Sequence, residues 1–434
     1  MIYVIVISAL SCFGMIAITL LKPKLKIKKF MVSTYWLIPL LGALILMACL
    51  LISPKEIFSG LTASTAINPI KILVLFLSMT VLSIFLDETG FFKWLANAVL
   101  KKAGSGQIKL FTALYVTVSL VTIFTSNDIV ILTFTPFICY FAKNAKVDPI
   151  PYLVSCFVAA NTCSMLLIIG NPTNIYLATS SGIDFVQYLK VMALPTLFAA
   201  VTAYVVMFLL FRKTLKTPIS GTAEKISIEQ KPLLFITLGL LAVTTVLLVI
   251  SSYINIEMWL IACVSVGALI IIVLAFALIK REKPKELGQT LARTPWELVP
   301  FVIAMFIMVL ALDKYEVTMK LGNLLGTRNT IIIFGIVSVL FANLVNNIPM
   351  SVLFTSILLS SSVPASGVFA TIIGSNIGAF LTPVGALAGI MWLSILKKNN
   401  INFSFLSFLK YGIIIAVPVL AAALGGLAIS SAWA

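Results

Sequence analysis

The sequence predicts an all-α polytopic membrane protein with about ten transmembrane helices plus two re-entrant hairpins, arranged as two inverted five-helix repeats. Three observations predict it. The 434 residues are 61% hydrophobic and 10% charged, where soluble chains hold about 45–50% apolar and about 25% charged residues. Apolar runs long enough to span a bilayer recur from end to end. Four polar interruptions fall inside such runs at corresponding places in the two halves.

The runs are taken in order. The first span, 2–21, lacks a charged leader and a small-residue cleavage site, and reads as a retained span rather than a signal peptide. Spans follow at 35–52 and 69–86. The stretch 107–140 is interrupted by Thr125-Ser126-Asn127-Asp128, and the over-long span 151–179 by Asn171-Pro172-Thr173-Asn174. Spans at 189–211, 232–252, 259–279 and 296–312 come next. The stretch 330–359 is interrupted by Asn346-Asn347-Ile348-Pro349, the span 367–396 by Thr382-Pro383-Val384-Gly385, and 411–431 closes the chain.

Lysine and arginine decide how the runs connect. If 107–140 and 330–359 each dip in and return to the side they left, the loops 22–29, 87–109, 143–146, 212–231, 280–293 and 397–410 share one side. They carry 24 of the 30 Lys and Arg. Making either stretch a through-span scrambles this asymmetry, so the positive-inside rule selects ten spans plus two hairpins, both termini outside an inner membrane. The net charge of +16 is then a topology signal, and nucleic acid is not among the partners.

The halves, 1–231 and 232–434, match in order. Leu86-Asp87 ends a span as Leu312-Asp313 does, then come a polar hairpin tip, a proline-containing break, and Lys190 or Lys410 leading into a last span. Five spans per half is odd, so the copies lie in opposite orientations, with a cytoplasm-facing hairpin in the first and an outside-facing one in the second.

Irregular backbone at membrane depth is tolerated only where it is buried in protein or lines a wet cavity. Four breaks in symmetric places therefore argue for one shared site. Asn171-Pro172 and Thr382-Pro383 place a capping side chain before a proline at the first helical position, and Asn347-Ile348-Pro349 is a looser version. Helix starts suit an anion or a hydroxyl-rich solute, and free carbonyls at the preceding helix ends suit sodium. Asp128 is the sharpest single residue, an acid 19 residues after Lys109 and 15 before Lys143. An ionisable group at this depth is a functional hypothesis by default, as a proton carrier or sodium ligand, beside a capping role for the next half-helix. Asp87, Glu88 and Asp313 read as solvated helix ends, with a gating salt bridge as the alternative, and Cys163 as a packing residue, with contact to a metalloid as the alternative. Gly104, Gly106 and the small-residue tail 421–434 read as turn and packing positions.

Other chemistry is excluded. The sequence has no histidine, which removes His-based zinc sites, HExxH proteases and Ser–His–Asp triads. Its six cysteines form no CxxC pair and no disulfide framework. An intramembrane enzyme lacks a second deep acid to pair with Asp128. A passive channel does not need hairpins from opposite faces. No cofactor is expected beyond a coupling ion, H+ or Na+.

Several of these residues resemble the ArsB-like arsenical pump membrane proteins, in the ion transporter superfamily that also holds the sodium–dicarboxylate symporters. The resemblance runs nearly end to end. Its most specific segments are Ile373-Gly374-Ser375-Asn376-Ile377-Gly378, then Leu381-Thr382-Pro383-Val384-Gly385-Ala386-Leu387-Ala388 with Trp392-Leu393. Asn127-Asp128 with Leu132-Thr133, Asn346-Asn347-Ile348-Pro349 and Pro295-Trp296 add to it. It implies two hairpins flanking a central site, a transport domain sliding elevator-fashion against a scaffold, and export of arsenite or antimonite against protons. Ser126, Asn127, Asp128, Asn346 and Asn347 are then hairpin-tip ligands, with Asn171, Thr173, Asn174, Asn376, Thr382 and Gly385 around the broken helices. The pumps often carry an acid at the position of Asn376, a lysine at that of Phe380 and a glycine at that of Ile129. A sodium-coupled importer of an organic or inorganic anion stays open as the rival reading, as do a homodimer and an ATPase subunit.

Overall fold

The computed structural model describes residues 1–22, 24–27, 30–62, 68–103, 106–216 and 231–432. Gly104, most of the 212–231 loop, parts of the 22–29 loop and the last two residues of the tail lie outside the described residues.

Helix α1 (Ile2–Leu21) leads into a two-stranded antiparallel ribbon, β1 (Lys24–Ile27) and β2 (Phe30–Ser33), with Lys24 opposite Ser33. Then come α2 (Leu37–Ala48), α3 (Pro54–Thr62), α4 (Pro69–Glu88) and α5 (Phe91–Ala103). The first hairpin is α6 (Gln107–Phe124) and α7 (Asn127–Ala145). The first broken span is α8 (Ile150–Cys163), a 3-10 turn (Ile168–Gly170) and α9 (Pro172–Ser180), and α10 (Phe185–Phe211) ends the half. The second half repeats the order. It has α11 (Lys231–Ile250), α12 (Met258–Lys280), α13 (Lys285–Arg293), α14 (Leu298–Lys314) and α15 (Val317–Leu325). Its hairpin is α16 (Thr330–Val345) and α17 (Asn347–Ser360). Its broken span is α18 (Ala365–Gly378), a 3-10 turn (Pro383–Gly385) and α19 (Leu387–Lys398), and α20 (Phe405–Ser431) closes it.

Local chemistry sets the starts. Asn68 accepts from Ile70 N and Lys71 N at 3.0 and 3.1 Å, with Pro69 at the first helical position of α4. Asp184 caps α10 through Gln187 N at 2.8 Å, and Ser404 caps α20 through Ser407 N at 3.0 Å. Among the described residues, eight helical runs, α6 among them, are long and apolar enough to cross a membrane.

Two expectations are corrected. The second span holds a helix over Leu37–Ala48 only, and Leu50 at φ 56 breaks it. The basic loops 87–109 and 280–293 contain α5 and α13. Helices of this length are too short to span, so a search for apolar runs passes over them. Their apolar residues recur at helical spacing: Phe92, Ala96 and Leu100 are buried on one face of α5 while Lys93 and Lys101 stay exposed.

Contacts recur in matched pairs. α4 lies against α12 as α14 lies against α2. α6 packs on α8 as α16 packs on α18, and α7 meets α19 as α17 meets α9. α10 packs on its own counterpart α20, where Gly426 lies so close to Pro195 that a Cβ there would sit 2.9 Å from its Cα.

Both hairpins return to the end they left. Tyr152 Oη donates to Gln107 Oε1 at 2.7 Å, which sets the start of α6 beside the start of α8, just after α7 ends. In the second half Thr330 Oγ1 and Ser366 Oγ lie 3.0 Å apart and do the same for α16 and α18. α17 packs on α9, the half-helix that leaves the first break away from α8. The two hairpins therefore enter from opposite ends of the molecule.

Candidate functional site

The tip of the first hairpin stops at the first break. Asn127 Nδ2 donates to Asn161 Oδ1 at 3.0 Å, and Asn161 Nδ2 donates back to Phe157 O at 2.9 Å, tying the tip to the last turn of α8. Asn127 Oδ1 is buried without a partner among the described residues. Ser126 is buried at the N-terminal boundary of α7, where its side chain makes no capping bond. Asp128, in the first turn of α7, is half-buried and makes no hydrogen bond or ion pair among the described residues.

The break itself is held by amides. Asn171 Oδ1 accepts from Thr173 N and Thr173 Oγ1, both at 3.1 Å, with Pro172 opening α9. Asn174 Nδ2 donates to Ser164 O at 2.8 Å and Leu167 O at 3.3 Å, satisfying carbonyls that the interrupted helix leaves free. Asn376, on α18, joins the two broken spans. Its Oδ1 accepts from Asn171 Nδ2 at 2.8 Å and Ser164 Oγ at 3.2 Å, and its Nδ2 donates to Asn174 Oδ1 at 2.7 Å and Ile372 O at 2.8 Å. All four hydrogen-bonding positions of that amide are used.

The second tip is built differently. Asn346 sits at φ 77, ψ 153, a region that side chains other than glycine rarely enter and that costs about 1–3 kcal/mol. Its Oδ1 accepts from Ile348 N at 3.3 Å, capping α17, and its Nδ2 donates to Val384 O at 2.9 Å in the second break. Asn347 is buried, and its side chain makes no hydrogen bond among the described residues. Thr382-Pro383 opens only the 3-10 turn. α19 starts later, at Leu387, with Ala386 before it and no side-chain cap. The Thr382 hydroxyl is taken by Asn343 Oδ1 at 2.6 Å, while Asn343 Nδ2 donates to Gly378 O at 3.0 Å. Gly385 lies against Gly378 O, where a Cβ would come within 2.4 Å. Gly170 lies against Ser164 O in the same way, at 2.3 Å.

Two kinds of polar group thus meet at this centre. Asn161, Asn171, Thr173, Asn174, Asn343, Asn346, Asn376 and Thr382 are bonded to one another or to broken-helix backbone. Asn127 Oδ1, the Asp128 carboxylate and the Asn347 amide are left for something else. The nearby space between α9, α17, α4 and α14, lined by Pro172, Tyr176, Ile348, Ser351, Phe76 and Val302, has a volume of only about 20 Å3, room for roughly a single water. Asn161 and Asn343 were not singled out from the sequence. Their signal was available, since a lone Asn in an apolar span needs hydrogen-bond partners that neighbouring helices must supply. Cys163 is buried as the last residue of α8.

The acids at span ends are not free in solvent. Arg293 Nη2 meets the buried Asp87 Oδ2 at 2.7 Å, and Arg293 also pairs with Glu88. Asp313 accepts from the hydroxyls of Thr318 and Ser356. At the far end of α14, Lys314 pairs with Glu56 at 2.9 Å. Hydrogen bonds from Lys314 and Ser53 hold the Glu56 carboxyl down at about 2. Folding brings α13 to the end of α4 and α3 to the end of α14, which spacing in the sequence could not reveal.

A multi-helix membrane protein in which two hairpins from opposite ends meet two broken helices in a buried polar centre is a secondary transporter. The chain belongs to the citrate transporter (CitMHS) family, whose model matches residues 29–368. It is 29% identical over 381 residues to the arsenical pump membrane protein of Escherichia coli K12, covering 82% of this chain and 85% of that one. It is 26% identical over 406 residues to a putative arsenical pump membrane protein of Bacillus subtilis, covering 86% and 89%. Among solved structures it resembles the Alcanivorax borkumensis YdaH transporter, with a TM-score of 0.59, 12% identity and coverage of 99% and 98%. Neisseria gonorrhoeae MtrF, from a class of antimetabolite efflux pumps, gives 0.54, 12%, and 98% and 94%.

Proposed function

We propose that this transporter exports arsenite, antimonite or a related small oxyanion or metalloid in exchange for protons. The observation that carries the reading is Asp128, an acid with no ion pair or hydrogen bond among the described residues, at the tip of the first hairpin beside the free acceptor Asn127 Oδ1. A half-buried carboxylate with no cation beside it, at membrane depth, is by default a candidate proton carrier. The names of the relatives supply the metalloid. In this reading residues 1–231 and 232–434 are inverted repeats, the lysine-rich loops are cytoplasmic, and both termini lie outside an inner membrane. Neither a homodimer nor an ATPase subunit enters it.

The rival is a sodium-coupled importer of an organic or inorganic anion. It is favoured by the orphan acceptor Asn127 Oδ1, which suits a hard cation, and by the citrate in the family's description. The test uses purified protein in liposomes, with tracer arsenite, phosphate and citrate fluxes under imposed proton or sodium gradients, and Asp128→Asn in parallel. Proton-driven arsenite flux abolished in Asp128→Asn is the expected result. Undiminished coupled flux in that variant removes Asp128 from the mechanism, and flux driven by sodium alone selects the rival.

A further inference from the structure

The two halves differ where a last span passes a hairpin arm. Residues of α6 and α10 correspond to those 220 positions later in α16 and α20. Between α6 and α10 the space is filled by aromatics. Tyr204 lies 6.1 Å from Phe111, 5.3 Å from Tyr115 and 6.1 Å from Phe208 between ring centroids. Tyr115 Oη also donates to Ala200 O at 2.6 Å. In the second half Phe111, Tyr115, Tyr204 and Phe208 become Ile331, Gly335, Leu424 and Ala428, and Val205 becomes Gly425. Leu424 fills the space against Gly335, and beside this contact runs a groove of about 740 Å3, walled by Ile332, Ile336, Val417, Leu420, Gly425 and Ala428, within the size range of ligand pockets.

The mouth of this groove is polar, lined by Asn329, Thr330 and Ser366, and a cation adjoins it in the sequence. Asn329 lines it, exposed and left-handed at φ 51 before α16, and no side chain caps the free N–H groups of that helix. Arg328, next to it, is exposed and makes no ion pair among the described residues. A cation and a helix start above an apolar trough suit an anionic head group with an alkyl tail.

We propose that the α16–α20 groove holds the acyl chain of a membrane phospholipid whose phosphate sits on Arg328 and the start of α16. The bilayer supplies this amphiphile to any multi-pass protein, and the charge at the mouth selects an anionic one. The site lies apart from the polar centre and does not depend on the substrate or coupling ion.

The test is native mass spectrometry of the full chain in detergent, titrated with phosphatidylglycerol or phosphatidylcholine. Wild type is compared with Gly425→Val/Ala428→Phe, which restores the residues of the first half, and with Arg328→Gln, an exposed change that leaves the packing alone. We expect wild type to retain one more phospholipid per chain than the filled variant. Arg328→Gln should weaken phosphatidylglycerol binding about fivefold while leaving phosphatidylcholine binding unchanged. Equal lipid retention by wild type and the filled variant overturns the proposal. So does an unchanged phosphatidylglycerol affinity in Arg328→Gln, which needs no repacking to be read. Efficient disulfide cross-linking of Gly425→Cys between two copies in membranes also overturns it, since a second chain would then cover the groove.

Discussion

Asn346 concentrates the demands of the site in one residue. Its backbone sits in a region suited to glycine, yet its amide both caps α17 and ties the hairpin tip to Val384. Asn346→Ala keeps the strained backbone and loses both bonds. Asn346→Gly loses the bonds but relaxes the strain, and glycine is nearly as good as asparagine at a helix start. Thermal unfolding in detergent should therefore place Asn346→Gly above Asn346→Ala by about 1–2 kcal/mol. Reversal of that order would show that the backbone is not strained. The sequence marked Asn346 and Asn171 as site residues because their amides interrupt apolar runs, and Asn376 only through the family resemblance. It did not separate those whose hydrogen bonds are consumed from those left open, because that depends on which helix supplies the partner. Asn376 is the clearest case: its partners Asn171, Ser164 and Asn174 lie more than 200 positions away.

Each broken span turns on a glycine pressed against a carbonyl from the end of its own preceding helix, Gly170 on Ser164 O and Gly385 on Gly378 O. The neighbours are backbone, so an added methyl cannot be accommodated by a side-chain rotation. Gly170→Ala and Gly385→Ala should each destabilise the protein by about 1–3 kcal/mol or more. Gly239→Ala, on an exposed stretch of α11 with nothing within 4 Å, should be neutral or gain up to about 1 kcal/mol. Equal melting temperatures for all three would mean that the turns yield freely. At this scale most elements were legible. Long apolar runs, proline at helix starts and polar interruptions each have a local cause. The short helices α5 and α13 were not, since their burial depends on neighbouring spans rather than on their own hydropathy. The Thr382-Pro383 turn also read too early as a helix start, because Asn343 takes the threonine hydroxyl.

The molecule as a whole carries matched contacts with reversed charges. α4 ends in acids held by Arg293 of α13, and α14 ends in Lys314 held by Glu56 of α3. Chain connectivity and the packing of α17 on α9 bring the two hairpins in from opposite ends. With the six native cysteines replaced, Ser126→Cys and Asn347→Cys should react with membrane-impermeant thiol reagents from opposite faces of sealed vesicles. Labelling of both from one face would end the transporter model.

Composition and hydropathy alone establish that this chain lives in a bilayer and where most of its long apolar runs and their polar breaks fall. These follow from composition, local periodicity and the cost of charge and open backbone in lipid, which act over a few residues at a time. Packing alone shows which polar groups are spent and which are free, and how the span-end charges pair. Those depend on contacts between segments hundreds of residues apart, and a hydrogen bond or ring contact exists only once packing has brought both partners together.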